Sequence, residues 1–158
     1  MNGRIYTINF AAVSVSAAQD FFEITPADDK PVEIVGLFLT QTGVGDVGDA
    51  QEELLRFSII RGHTTSGTGG SAPTPVPVKT PDTAAGFTSE VNNTTIASVG
   101  TTVVVHEDAF NVRAGYANWW PDGAEPFCSQ ASTTIVVRLN SAPADAITLS
   151  GTLYVREA

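Results

Sequence analysis

The chain has 158 residues, of which 16% are charged, with 17 acidic against 8 basic side chains and a net charge of −9. No basic run occurs, which excludes the electrostatic footprint of a nucleic-acid binder, and no apolar run reaches the ~18 residues that a membrane-spanning helix needs. The single cysteine, Cys128, excludes an intrachain disulfide and a cysteine-rich zinc site.

The length suits one domain, 1–158, with a core of its own, and the acidity reads as a solubility device. The opening stretch MNGRIYTINFAAVSVSAA imitates a signal peptide weakly, but Thr7, Asn9, Ser14 and Ser16 interrupt it. Alternation favours a strand there instead, with Tyr6, Ile8 and Phe10 on one face. QDFFEIT (19–25) follows as a short strand, and PADDKP, from Pro26 to Pro31, as a turn. VEIVGLFLTQ (32–41) is apolar on both faces, which predicts a core on one side and a covering segment or subunit on the other. DAQEELL (49–55) invites a helix, overlapping a strand at 53–62 that turns Leu55, Phe57 and Ile59 inward.

RGHTTSGTGGSAPTPVPVKTP (61–81) interrupts the pattern with Gly62, Gly67, Gly69, Gly70, Pro73, Pro75, Pro77 and Pro81. Structureless stretches of about twenty residues inside a compact domain are usually functional or disordered. The spacing predicts an arm over 62–83, mobile in isolation and ordered against a neighbouring subunit. Its PTPVPV run prefers the extended polyproline conformation. A turn is expected near Ala84 to Glu90. Asn92 and Asn93 each open a glycosylation sequon, relevant only in a secretory pathway. TTVVVHE (101–107) and AFNVRAG (109–115) read as a pair of strands. STTIVVRLN (132–140) and ITLSGTLYVRE (147–157) alternate cleanly, the latter with Ile147, Leu149, Leu153 and Val155 on one face. About eight strands without crossover helices predict an all-β antiparallel sandwich, best a jelly roll, with an immunoglobulin-like sandwich second.

The chemical motifs weigh little. GVGDVG (43–48) matches a dinucleotide fingerprint in letters only: Asp46, Asp49, Glu52 and Glu53 would repel a pyrophosphate, and no room remains for the helix. The same loop lacks the ligand pattern of a calcium site. SGTGGS (66–71) lacks the lysine of a phosphate loop. His106 and Glu107 are adjacent and so point to opposite faces of a strand, against joint chelation. No G-x-S-x-G elbow exists, and nothing local activates Cys128 with a histidine and Asp122. The expectation is no enzyme, with no catalytic, cofactor or metal residues. GYANWWPDGAEPF (115–127) is dense in aromatics: Tyr116, Trp119, Trp120 and Phe127 either close the end of the sandwich or stack on a sugar or partner.

GDAQEELLRFSIIRG, the glycine- and proline-rich insertion after it, AGFTSEVNNTTIAS, DAFNVRAGY and SGTLYVRE together resemble the jelly-roll decoration, or cement, proteins of tailed-phage heads. The likeness lies in layout along most of the chain, and no binding residue transfers from it. It implies a homo-oligomer, a trimer, bound to the major capsid protein on the outside of the virion, assembled in the bacterial cytoplasm, with no membrane or nucleic-acid partner. His63, Gly67, Gly69, Gly70, Pro73, Pro75, Pro77, Trp119 and Trp120 are the expected partner-binding residues. The alternative is a carbohydrate- or receptor-binding module of a phage particle.

Overall fold

The computed structural model describes residues 3–42, 52–128 and 131–158, so GVGDVG (43–48) lies outside the described residues. Among the described residues, eleven strands form two antiparallel sheets: β1 (Arg4–Val15), β2 (Gln19–Thr25), β3 (Val32–Gln41), β4 (Leu54–His63), β5 (Val76–Pro77), β6 (Thr88–Asn93), β7 (Val103–Asn111), β8 (Tyr116–Trp119), β9 (Phe127–Cys128), β10 (Thr134–Leu139) and β11 (Ile147–Glu157). One sheet runs β5-β1-β11-β3-β8, with β9 also on β3; the other runs β6-β2-β10-β4-β7. Without β5, β6 and β9, the eight remaining strands are the two interleaved four-stranded sheets of a jelly roll.

Alternation accounts for the inward set. Tyr6, Ile8, Leu55, Phe57, Ile59, Ile135, Val137, Leu139, Leu149, Leu153 and Val155 are all buried and meet in one core between the sheets. In β1 the phase flips after Phe10: a bulge between Phe10 and Val13, with Ala12 at φ 52°, brings the odd-numbered Val15 inward.

Three expectations are corrected. The helix invited at 49–55 is absent from its described part, because Leu54 already opens β4. The two strands expected over 101–115 are one, β7, running through Asp108, since β4 pairs with it continuously from Leu54↔Asn111 to Arg61↔Val103 apart from one bulge. The partner strand is supplied later, by β8 on the other sheet.

The third correction concerns the arm. Residues 62–83 are fastened to their own domain rather than thrown outward. Thr65 pairs with Ser98, Thr68 with Thr95 and Ser71 with Val91, so the glycine-rich half forms a two-stranded ribbon with β6 and the stretch after it. The proline-rich half supplies β5, which adds Val76 and Pro77 to the edge of β1. Val78 N–H then donates to the Ile5 carbonyl (2.9 Å), and the Tyr6 hydroxyl donates to the Thr83 carbonyl (3.0 Å). The physical reason is that an extended backbone beside an open sheet edge finds its hydrogen-bond partners there. The insertion is a strap that crosses the outer face of one sheet and ends on the edge of the other.

Candidate functional site

Three regions carry residues that the fold does not spend on its main core. The first lies under the ribbon. Asp20, fully buried on β2, faces Arg138 of β10: Arg138 Nε and Nη2 donate to its two oxygens at 2.6 and 3.1 Å. The ribbon closes this pair from above, with Ala97 N–H donating to Asp20 (2.7 Å) and the Ala97 carbonyl accepting from Arg138 (2.8 Å). Beside it, buried Glu23 accepts from Gly67 N–H (3.0 Å) and from the Asn93 amide (3.1 Å). Ile60, Ala97 and Val136 fill the remaining space as a small second core. Apart from Glu23 Oε1, which has no partner among the described residues, the polar groups named here bond one another and the ribbon backbone, which makes this a fastening.

His63 belongs to the same layer. It is 4% exposed, and Arg138 Nη1 lies 3.4 Å from its Nε2. Arginine only donates, so the ring accepts at Nε2 and is neutral. Burial, and then the Arg138 charge, push its pKa below 6.5, with Asp20 opposing.

Of the other residues expected at a partner surface, Gly67 is buried against β2 and β6, whereas Gly69 and Gly70 lie on the exposed side of the ribbon. A side chain at Gly70 would strike the Val91 carbonyl, and Gly69 adopts φ 93°, so both glycines serve the close approach of the two ribbon strands. Pro73, Pro75 and Pro77 lie half-buried along the strap.

The second surface is the outer face of the β1-β11-β3-β8 sheet. Register places Thr7, Tyr154, Gly36 and Trp119 in one row across the strands, and Asn9, Thr152, Phe38 and Ala117 in the next. The Trp119 indole sits over Gly36, where a Cβ would come within 2.7 Å of the ring. Its centroid is 4.7 Å from that of Tyr154 and 5.2 Å from that of Phe38. This accounts for the doubly apolar β3: its outer side is covered by the chain's own aromatics. The two tryptophans part company, because neighbours on a strand face opposite ways. Trp119 stays 56% exposed, while Trp120 turns to the core and meets His106 edge-on at 5.4 Å. The loop is therefore split, with Trp120 packed against the core and Trp119 left on the surface.

Beyond Tyr154 on the same face, Arg156 gathers Glu125 (2.9 Å), Glu33 (3.1 Å) and Asp122 (3.3 Å). Burial works against Arg156's charge, but the three carboxylates outweigh it and raise its pKa. Asp122 is thus committed to Arg156 and is not part of any thiol site. Cys128 is buried, 3.7 Å from the Thr133 hydroxyl.

His106 and Glu107 face opposite ways, as alternation requires. His106 lies by Tyr116 and Trp120, and Glu107 by Ser58 and Arg56. The Tyr116 hydroxyl donates to Asp108 (3.2 Å); burial, and then the Asp108 charge, raise its pKa to about 12. Among the described residues, no three His, Cys, Asp or Glu side chains converge as metal ligands.

The third surface is aliphatic. Ile96, Val99, Val103 and Val104 are 38%, 68%, 48% and 50% exposed within nine residues of chain, where the ribbon gives way to edge strand β7. Val99 holds φ 60°, a conformation that β-branched residues strongly disfavour.

Sequence reasoning missed Asp20, Glu23, Arg138, Phe38, Tyr154 and Arg156. Lone charges inside otherwise apolar strands, as in QDFFEIT and STTIVVRLN, were the available signal for the first three. In comparisons with family models, with curated proteins and with solved structures, no match to this chain was found.

Proposed function

We propose that this protein is a structural virion protein, a decoration or cement protein that binds the outside of a tailed-phage head as a homotrimer and stabilises the shell. The observation that carries the reading furthest is the run of exposed aliphatic side chains Ile96, Val99, Val103 and Val104, the last two on opposite sides of edge strand β7. Clustered exposed apolar side chains mark contact surfaces, and an edge strand offers unpaired backbone groups for a further strand. Backbone strain at the exposed Val99 is of the kind that collects at binding positions. The strap supports the same reading. Gly67 of the strap bonds Glu23, and Ala97 of the opposite ribbon strand bonds Asp20 and Arg138, so the ribbon that leads to those valines rests on a rigid base, which lowers the ordering cost of binding.

In this reading, contacts with several neighbouring capsid subunits add up through multivalency rather than through any one strong site. The layout shared with decoration proteins supplies the partner, the major capsid protein. Light scattering on purified protein is expected to give a trimer, and the protein is expected to co-sediment with phage heads lacking it and to raise their melting temperature. A monomer that stays in the supernatant would overturn the proposal.

A further inference from the structure

We infer that the outer face of the β1-β11-β3-β8 sheet is a binding site for a neutral oligosaccharide, centred on Trp119. This inference is independent of the capsid reading, whose contact surface lies on the other sheet and the ribbon.

The face has two lanes. One is aromatic: Tyr154, Phe38 and Trp119 meet with centroids 4.7–5.8 Å apart, and Trp119 keeps 56% of its surface exposed. The other is polar and uncharged: Asn9 and Thr152 follow Phe38 along one register row, with Ser150 and Thr40 beyond. Among the described residues the side chains of Asn9, Thr152 and Thr40 make no hydrogen bond within the chain. A trough of about 290 Å³ runs along this lane past Phe38. Strands lie about 4.8 Å apart, so the Thr152 hydroxyl and the Asn9 amide stand one and two strand widths from Phe38.

A pyranose offers what this arrangement takes. Its C–H face stacks on an aromatic ring, and its equatorial hydroxyls need neutral donors and acceptors beside that ring. Gly36 is the enabling residue, since any side chain there would displace the indole.

Two features select the occupant. The longest run of exposed aliphatic residues that would suit a second protein chain, Ile96, Val99, Val103 and Val104, lies elsewhere, and on this sheet only the edge strand β5 and its end add Val76 and Val78, beyond Thr7 at the far side from Trp119. Among the described residues the one cation on this face, Arg156, is already held by Glu33, Glu125 and Asp122, so an anionic glycan would meet unshared carboxylate charge.

The test is calorimetric titration of the full-length protein with neutral hexasaccharides of glucose, mannose and xylose, with hexagalacturonate as the acidic control. At least one neutral sugar is expected to bind with a Kd below about 1 mM. Trp119→Ala should weaken that binding about tenfold or more and Asn9→Ala to a smaller extent, with Asn9→Ala keeping the wild-type melting temperature and Trp119→Ala, which loses its packing on Gly36, Phe38 and Tyr154, keeping the wild-type β-sheet circular dichroism at the temperature of the titration. Trp120→Phe should leave it unchanged. Iodide should quench Trp119 fluorescence in the free protein, and the sugar should protect it. Failure of every neutral sugar, tighter binding of the acidic one, or binding that survives Trp119→Ala would each overturn the inference. So would a Trp119 already shielded from iodide, which would mean that another copy of the chain covers the face.

Discussion

At the scale of single residues, the buried charges define what the molecule tolerates. Asp20 and Arg138 compensate each other, and the ribbon backbone completes both. His63 sits at the same point and is the titrating member. Its folded pKa is depressed, by burial first and Arg138 second, while the unfolded ring titrates near 6.5. Below 6.5 the unfolded chain takes up a proton that the folded chain refuses, so stability falls with pH through that window and levels off below the folded value. Protonation would also place a second N–H, at Nε2, facing the Arg138 guanidinium, which carries no acceptor. Urea-unfolding midpoints measured on either side of pH 6.5 should show this slope in the wild type and a shallower one in His63→Gln. Equal slopes in the two proteins would remove His63 as the source.

At the scale of elements, the strap changes what its composition suggested. Gly67, Gly69 and Gly70 provide tight contact with a neighbouring strand rather than looseness, and the prolines run beside an edge where few backbone donors are needed. Deleting Thr64 to Val78 removes the Gly67 donor to Glu23, the Gly70 donor to Asn93, the Pro73 carbonyl that Ser89 bonds, and the β5–β1 pairing. Each buried polar group left unpaired costs about 1–3 kcal/mol. The deletion is therefore expected to lower stability by at least about 3 kcal/mol, read as a lowered urea midpoint. An unchanged midpoint would reduce the strap to a tether.

At the scale of the whole molecule, the two sheets present different chemistries outward. One carries aromatic rings with neutral polar groups; the other, with its ribbon, carries exposed valines. If the valines join copies of the chain in the proposed trimer, Val103→Lys with Val104→Lys should give a monomer in light scattering. Monomer stability should then change by no more than about 0.5 kcal/mol, as is usual for surface substitutions. A trimer that persists in the double variant would place the interface elsewhere.

The sequence by itself determined the architecture. Alternation in YTINF, LLRFSII, TIVVRL and ITLSGTLYV marked the inward set, because a period of two lets only one side of a strand reach the core. It could not determine where 62–83 would go, because that segment has no face of its own. Its hydrogen bonds depend on strands distant in sequence, Ser98 for Thr65 and Tyr6 for Pro77. Nor could spacing gather Phe38, Trp119 and Tyr154, which come from three strands that only the sheet order makes neighbours. Local pattern fixes which side of a strand is apolar; tertiary pairing alone decides which residues share the other side.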